Sequence, residues 1–133
     1  MACSWRELAH SQAVQRGIRD AGLLKPAPVQ TATVPIASFG VDLIAQAKSG
    51  TGKTAAYAIV ALNMISPYKA GPQALLVAPT REIAAQTAHV CRIIASHADG
   101  VRVATFIGGT PEQVDVRAAG RCELACGTPG RLV

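Results

Sequence analysis

Residues 45–54 read AQAKSGTGKT, that is Ala45-Gln46-Ala47-Lys48-Ser49-Gly50-Thr51-Gly52-Lys53-Thr54. The spacing Gly, four residues, Gly-Lys-Ser/Thr marks a loop that cradles phosphate. Counting back from Gly52, the first glycine of that pattern falls where this chain has Ala47. A phosphate group needs many donors in a small volume, and backbone N–H groups supply them when the chain curls tightly. Gly50 and Gly52 permit the curl because they lack a β carbon. A helix starting near Lys53 would aim its free N–H groups and its positive end at the anion. The Lys53 ammonium can then reach the terminal phosphates, and the Thr54 hydroxyl is placed to hold a magnesium ion. Ala47 adds one methyl at the loop entrance, which the loop tolerates if that residue keeps a negative φ.

The neighbouring sequence has the strand-loop-helix order such a loop needs. Val41-Asp42-Leu43-Ile44-Ala45-Gln46 reads as a strand running into the glycines, and Thr54 to Ile65 as a helix without glycine or proline. Gly50-x-Gly52-x-x-Ala55 also fits a dinucleotide fingerprint, which demands an acidic residue at the end of the next strand. That strand ends Val77-Ala78-Pro79-Thr80, with no acid, and Lys53-Thr54 would have no purpose.

Further along, Ala74 to Ala78 is an apolar strand stopped by Pro79, and Thr80 can cap the next helix. Ile83, Val90 and Ile94 share one face of that helix, with Ala84, Cys91 and Ala95 beside them. Val101 to Ile107 is another strand, turned by Gly108-Gly109. Thr110-Pro111-Glu112-Gln113 has capping-box spacing with proline at the first helical position. That helix should end at Gly120, and Cys122 to Cys126 is a further strand before Gly127-Thr128-Pro129-Gly130-Arg131. Upstream, Ser4 and Glu7 have capping-box spacing, Ser11 is a second cap, and Val14 and Ile18 lie one turn apart on a helix closed by Gly22. Lys25-Pro26-Ala27-Pro28-Val29-Gln30 is a stiff entry into another helix. Strand-helix alternation predicts an α/β fold with a parallel sheet.

Composition agrees. The chain has 133 residues, half of them hydrophobic and 16% charged, with a mean hydropathy of +0.27. This suits one domain whose sheet is buried on both faces. No apolar run is long enough to span a membrane, and the first residues lack the basic start of a signal peptide. The net charge of +5 favours polyanion partners. The cysteines, Cys3, Cys91, Cys122 and Cys126, form no zinc-knuckle spacing and read as small hydrophobes in a reducing compartment.

Ala47-Lys48-Ser49-Gly50-Thr51-Gly52-Lys53-Thr54 resembles motif I of the DEAD-box RNA helicases, a family that often carries alanine at the loop entrance. Other blocks follow the family's order. Gly22 to Gln30 resembles its Q motif, Pro79-Thr80-Arg81-Glu82-Ile83-Ala84-Ala85-Gln86 its motif Ia, Gly108-Gly109 its glycine doublet, and Thr128-Pro129-Gly130-Arg131-Leu132 its motif Ib. The resemblance implies one partial RecA-like domain over residues 1–133, with the Q motif at 3–31, motif I at 45–54, motif Ia at 79–86, the doublet at 108–109 and motif Ib at 128–132. It implies an RNA helicase that hydrolyses ATP with Mg2+, working in the nucleus and/or the cytoplasm with no membrane partner.

By position, Lys53 and Thr54 would be catalytic, with Thr54 holding the metal. ATP would lie against Trp5, Lys25, Gln30 and the loop residues Ala47, Lys48, Ser49, Gly50, Thr51, Gly52, Lys53 and Thr54. Gln30 would read adenine, and Trp5 would either stack on the base or anchor the N-terminal segment. Pro79, Thr80, Arg81, Gly108, Gly109, Thr128, Pro129, Gly130 and Arg131 would meet the RNA backbone without reading bases. Glu82 would support the fold. Within the family, Asp42 to Gly50 and Phe106 to Pro111 are most similar to the helicase of the Gemin (SMN) complex, which implies a ribonucleoprotein-assembly partner.

Two departures stand out. Ala27 replaces the family's Thr or Ser, which removes a side-chain cap worth on the order of 1 kcal/mol and a hydroxyl link to motif I. The Asp-Glu-Ala-Asp block and a second RecA-like domain are missing from these residues, so the chain alone should turn over ATP negligibly and leave an open, apolar sheet edge. A non-catalytic nucleotide- or RNA-binding scaffold module and a phosphate-loop ATPase acting on DNA are the alternatives.

Overall fold

Three parallel strands, β1 (Ala74–Val77), β2 (Val103–Phe106) and β3 (Leu124–Gly127), lie in the order β1-β3-β2 in a computed structural model that describes residues 3–133. Leu124 of β3 pairs with Ala74 on one side and Val103 on the other. The sheet is the α/β parallel arrangement that the strand-helix alternation predicts. Among the described residues seven helices flank it: α1 (Trp5–Leu8), α2 (Gln12–Asp20), α3 (Pro28–Ala37), α4 (Lys53–Met64), α5 (Arg81–Ile94), α6 (Glu112–Ala119) and α7 (Pro129–Leu132).

Alternation along the strands sends side chains to two faces. Leu124, Cys126, Ala74, Leu76 and Val103 join the main core, with Ile59 and Leu62 of α4, Ala88, Cys91 and Ile94 of α5, and Val14 and Ile18 of α2. Ala125, Phe106 and Ala104 meet Ala118, Ala119 and Leu132 on the other face. α6 and α7 do not reach across that face to β1, so Leu75 and Val77 stay 54% and 58% exposed.

Local chemistry sets the helix ends. Val14 N–H donates to the Ser11 hydroxyl at 3.1 Å, and Ile83 N–H to the Thr80 hydroxyl at 3.2 Å. Ser4 N–H donates to the Glu7 carboxylate at 2.8 Å. At Gly22, φ is +77°. Its N–H reaches Arg19 O at 2.9 Å and Leu23 N–H reaches Ile18 O at 3.2 Å, the paired bonds of a Schellman stop.

Two expectations fail. Residues 41–46 form no strand: a ladder needs a partner, and among the described residues no strand lies beside this segment. Ile44 is 99% exposed as a result. Thr110 is not the helix cap either. α6 begins at Glu112 after Pro111, and the Thr110 hydroxyl donates to Asp115 at 3.2 Å instead. The strand limits also shift, to 103–106 and 124–127.

Glu123, almost fully buried, ties the start of β3 to the residue before β2. Its carboxylate accepts from Arg102 N–H at 2.7 Å and from the Arg102 guanidinium at 2.9 Å. The Arg102 guanidinium holds the Glu123 carboxyl below its ordinary range. A lowered folded-state value stabilises the protein above the unfolded value and loses that effect as pH falls through the folded one. Glu123→Gln should therefore cost about 1 kcal/mol at neutral pH, because Arg102 is largely solvated. The deficit should shrink on acidification below the ordinary carboxylate range. Denaturant midpoints that coincide for the two proteins at pH 7 would contradict this.

Cys91, Cys122 and Cys126 are buried and form no disulfide; the hydrogen bond with the Cys126 thiol, with burial, pushes the Cys91 thiol up, and burial pushes the Cys122 thiol up. Among the described residues no group of three or more His, Cys, Asp or Glu is placed to hold a metal ion.

Candidate functional site

The loop from Ala47 to Gly52 leads directly into α4. Gly50 has φ +76° and Gly52 φ +100°, conformations that need glycine. Among the described residues no other residue type has positive φ, so Ala47 keeps the negative φ that the loop entrance demands. The Thr51 hydroxyl donates to Lys48 O at 2.6 Å and closes the turn. The Lys53 ammonium folds back onto the Ala47 carbonyl. Gly52 is also hemmed in from outside: a β carbon there would lie 2.6 Å from Gln30 Nε2.

Gln30 is 2% exposed and joins two segments. Its Oε1 accepts from Ala27 N–H at 2.7 Å, and its Nε2 donates to Gly52 O at 3.1 Å. With no hydroxyl at Ala27, this amide caps α3 through the backbone and fastens the helix to the phosphate loop. One N–H and one oxygen lone pair of the amide remain for a ligand. Lys25 is exposed on the approach to α3. Trp5 is half-buried against the main core, and its indole N–H donates to Leu23 O at 2.8 Å. Of the two roles considered for it, the anchor is the one visible in these contacts.

Beside the loop lies a hollow of about 400 Å³, lined among others by Val29, Thr33, Leu43, Lys53, Thr54 and Tyr57. The Tyr57 hydroxyl donates to Thr54 Oγ1 at 3.3 Å and lies 3.4 Å from the Thr87 hydroxyl of α5. Sequence reading missed this group. The three-residue spacing from Thr54 to Tyr57 on one helix was the available signal.

The second group of residues follows the strands. Pro79, Thr80 and Arg81 leave β1, Gly108 and Gly109 leave β2, and Thr128, Pro129, Gly130 and Arg131 leave β3. Because the strands are parallel, all three loops emerge at one edge, where open α/β sheets hold their ligands. The loops are tied together. Ala78 N–H donates to Gly127 O at 2.9 Å, and Thr128 N–H to Phe106 O at 3.1 Å. Arg81 lies against Gly108, where a β carbon would come within 2.6 Å of Nη2. Pro79, Thr80, Arg81, Gly109, Pro129 and Gly130 are exposed. Arg131 is partly committed: it donates to Asp115 Oδ2 and to Thr110 O, both at 2.6 Å. Glu82 lies exposed in the first turn of α5, where a carboxylate suits the helix's positive end.

Known proteins share this arrangement. The DEAD/DEAH box helicase family model matches residues 27–133. An ATP-dependent RNA helicase dhh1 of Neurospora crassa is 42% identical over 130 residues, covering 97% of this chain and 23% of its own length. The probable ATP-dependent RNA helicase DDX20 of mouse is 41% identical over 128 residues, covering 96% of this chain and 16% of its own length. The chain thus spans less than a quarter of these relatives. Among solved structures, Saccharomyces cerevisiae Dbp5 bound to RNA and ADP BeF3 superposes with a TM-score of 0.85 at 29% identity, over 97% of this chain and 32% of that one. A DEAD box protein from Methanococcus jannaschii gives 0.84 at 29% identity, over 92% and 33%. A glycine-curled loop at a helix start, three loops gathered at one sheet edge and a family match over four-fifths of the residues all agree: this chain belongs to the DEAD/DEAH box helicase family, as a part of its RecA-like α/β domain.

Proposed function

We propose that the chain is the ATP-binding part of an ATP-dependent RNA helicase that remodels RNA or ribonucleoprotein. The observation that carries this reading is the junction of loop and sheet edge. Gly50 and Gly52 curl the chain at the start of α4, and α4 packs on β1 and α5, the elements that carry Thr80 and Arg81. A triphosphate in the loop and a strand along the edge would therefore share one rigid support.

The roles divide by chemistry. Lys53 leaves the Ala47 carbonyl for the terminal phosphates, and the backbone N–H groups of residues 48 to 54 surround the rest. Mg2+ prefers oxygen donors and keeps several waters, so one hydroxyl plus phosphate oxygens suffices for it. Thr54 Oγ1, which has lone pairs free beyond the bond from Tyr57, fits that need. The ion supplies charge neutralisation on the phosphates. Gln30 meets the adenine edge with its remaining donor and acceptor, and Lys25 lies along the nucleotide. Thr80, Arg81, Gly108, Gly109, Thr128, Gly130 and Arg131 hold RNA by its phosphates and sugars, with Pro79 and Pro129 shaping the loops.

Similarity to DDX20 over 96% of the chain supports a Gemin/SMN-type ribonucleoprotein complex as partner, in the nucleus and/or the cytoplasm. Hydrolysis also needs acidic groups to position water, and residues 1–133 carry no Asp-Glu-Ala-Asp block, so this chain binds ATP with negligible turnover. The division into motifs follows the same reading.

Equilibrium titration tests it. The chain should prefer ATP to GTP, and Gln30→Ala should reduce that preference about tenfold, the effect of losing one or two neutral hydrogen bonds. Equal affinities for ATP and GTP in the unsubstituted chain would overturn the role of Gln30. Equal affinity for RNA and DNA of one sequence would favour the DNA-acting alternative.

A further inference from the structure

The sheet-edge loops do not use a group of three arginines on α1 and α2. α2 buries Val14, Gly17 and Ile18 against the core. Its opposite face carries Gln12, Gln15, Arg16 and Arg19, at the spacing of one helical stripe. Arg6 of α1 completes a hollow of about 490 Å³ lined by these five residues alone. All three arginines are exposed, and among the described residues none of them is in an ion pair. The acids of the two helices are engaged elsewhere: Glu7 accepts from Ser4 N–H, and Asp20 Oδ2 lies 2.6 Å from His97 Nε2.

We propose that Arg6, Arg16 and Arg19 form a second contact for the phosphate backbone of single-stranded RNA. This rests on the reading of the sheet-edge loops as an RNA site, and it adds a separate place where the same strand is held. A protein partner would require an apolar or aromatic anchor at the centre of its interface. This hollow offers none; it offers guanidinium and amide donors, the groups that meet phosphates. Its position fixes the RNA length required. α2 touches α5 where Gly17 meets Ile94, at the far end of α5 from Arg81. Thirteen helical steps separate the two ends, about 20 Å. A strand confined to the sheet-edge loops misses the arginines; it must run on past them by at least the length of α5 to meet both places.

The test uses the 133-residue chain, labelled oligouridylates of about six and about twenty nucleotides, and anisotropy titrations at several salt concentrations. The triple variant Arg6→Gln, Arg16→Gln, Arg19→Gln keeps good helix formers on an exposed face. It should bind the long RNA about tenfold more weakly, with a log-log salt slope shallower by about 2, as expected for three lost phosphate contacts. Short-RNA and MgATP affinities should not change, and the corresponding triple lysine variant should keep the slope. Wild-type slope and affinity for long RNA in the glutamine variant would overturn the proposal, as would equal losses on both lengths. So would a polyglutamate peptide that needs the arginines while RNA does not. If the unsubstituted chain fails to bind short RNA but binds long RNA through the three arginines, the cradle stands and the sheet-edge reading falls.

Discussion

Lys53→Ala is expected to lower the affinity for MgATP by about 100-fold or more, with the melting temperature nearly unchanged. The ammonium now sits on the Ala47 carbonyl, a neutral partner it can exchange for phosphate oxygens. Charge-assisted hydrogen bonds contribute about 1.5–3 kcal/mol each, and every 1.4 kcal/mol is tenfold. Losing the only lysine at the start of α4 therefore removes about 3 kcal/mol of binding. The fold does not need it, because α4 is held by Ala55, Ala58, Ile59 and Leu62, all buried. Calorimetric titration beside a thermal melt separates the two effects. A change below about threefold in affinity would remove Lys53 from the site.

Gly17→Ala should be the most damaging single-methyl change to stability. Helix propensity alone predicts the reverse, since alanine is better than glycine in a helix by about 1 kcal/mol. Packing decides the sign. A β carbon at Gly17 would lie 1.8 Å from the Ile94 carbonyl oxygen and 2.4 Å from its carbon. These are backbone atoms at the end of α5 and cannot swing aside. α2 would have to lift away, uncovering Val14 and Ile18. Overpacking of this kind costs about 1–3 kcal/mol and exceeds that where backbone blocks backbone. A net loss near 3 kcal/mol corresponds to a fall of roughly 10 °C in melting temperature for a domain of this size. An unchanged or raised melting temperature would show that the two helices part without cost.

What the sequence revealed was local chemistry. Gly50 and Gly52 were legible because only glycine takes their backbone angles cheaply, and Ser11, Thr80 and Gly22 because caps act within three or four residues. The three loops of the candidate RNA edge were legible once the strands were read as parallel, since parallel strands share one exit edge. What stayed hidden was set by distant partners. An apolar run becomes a strand only beside another strand, so residues 41–46 misled. Thr110 had the right spacing for a cap, but Asp115 and the proline start of α6 claimed it. The contact of Gly17 with Ile94 and the Arg102–Glu123 pair join residues far apart in the chain, and no periodicity announces them; the stripe on α2 has helical spacing, but only the fold brings Arg6 beside it.

The central claim is that residues 47 to 54 form a grip for a triphosphate. A crystal structure of the chain with a non-hydrolysable ATP analogue and Mg2+ tests it most directly. The account predicts Lys53 Nζ released from the Ala47 carbonyl and placed on the terminal phosphates, the metal on Thr54 Oγ1, and adenine against Gln30. Lys53 still fastened to Ala47, with the nucleotide bound elsewhere or not at all, would contradict it.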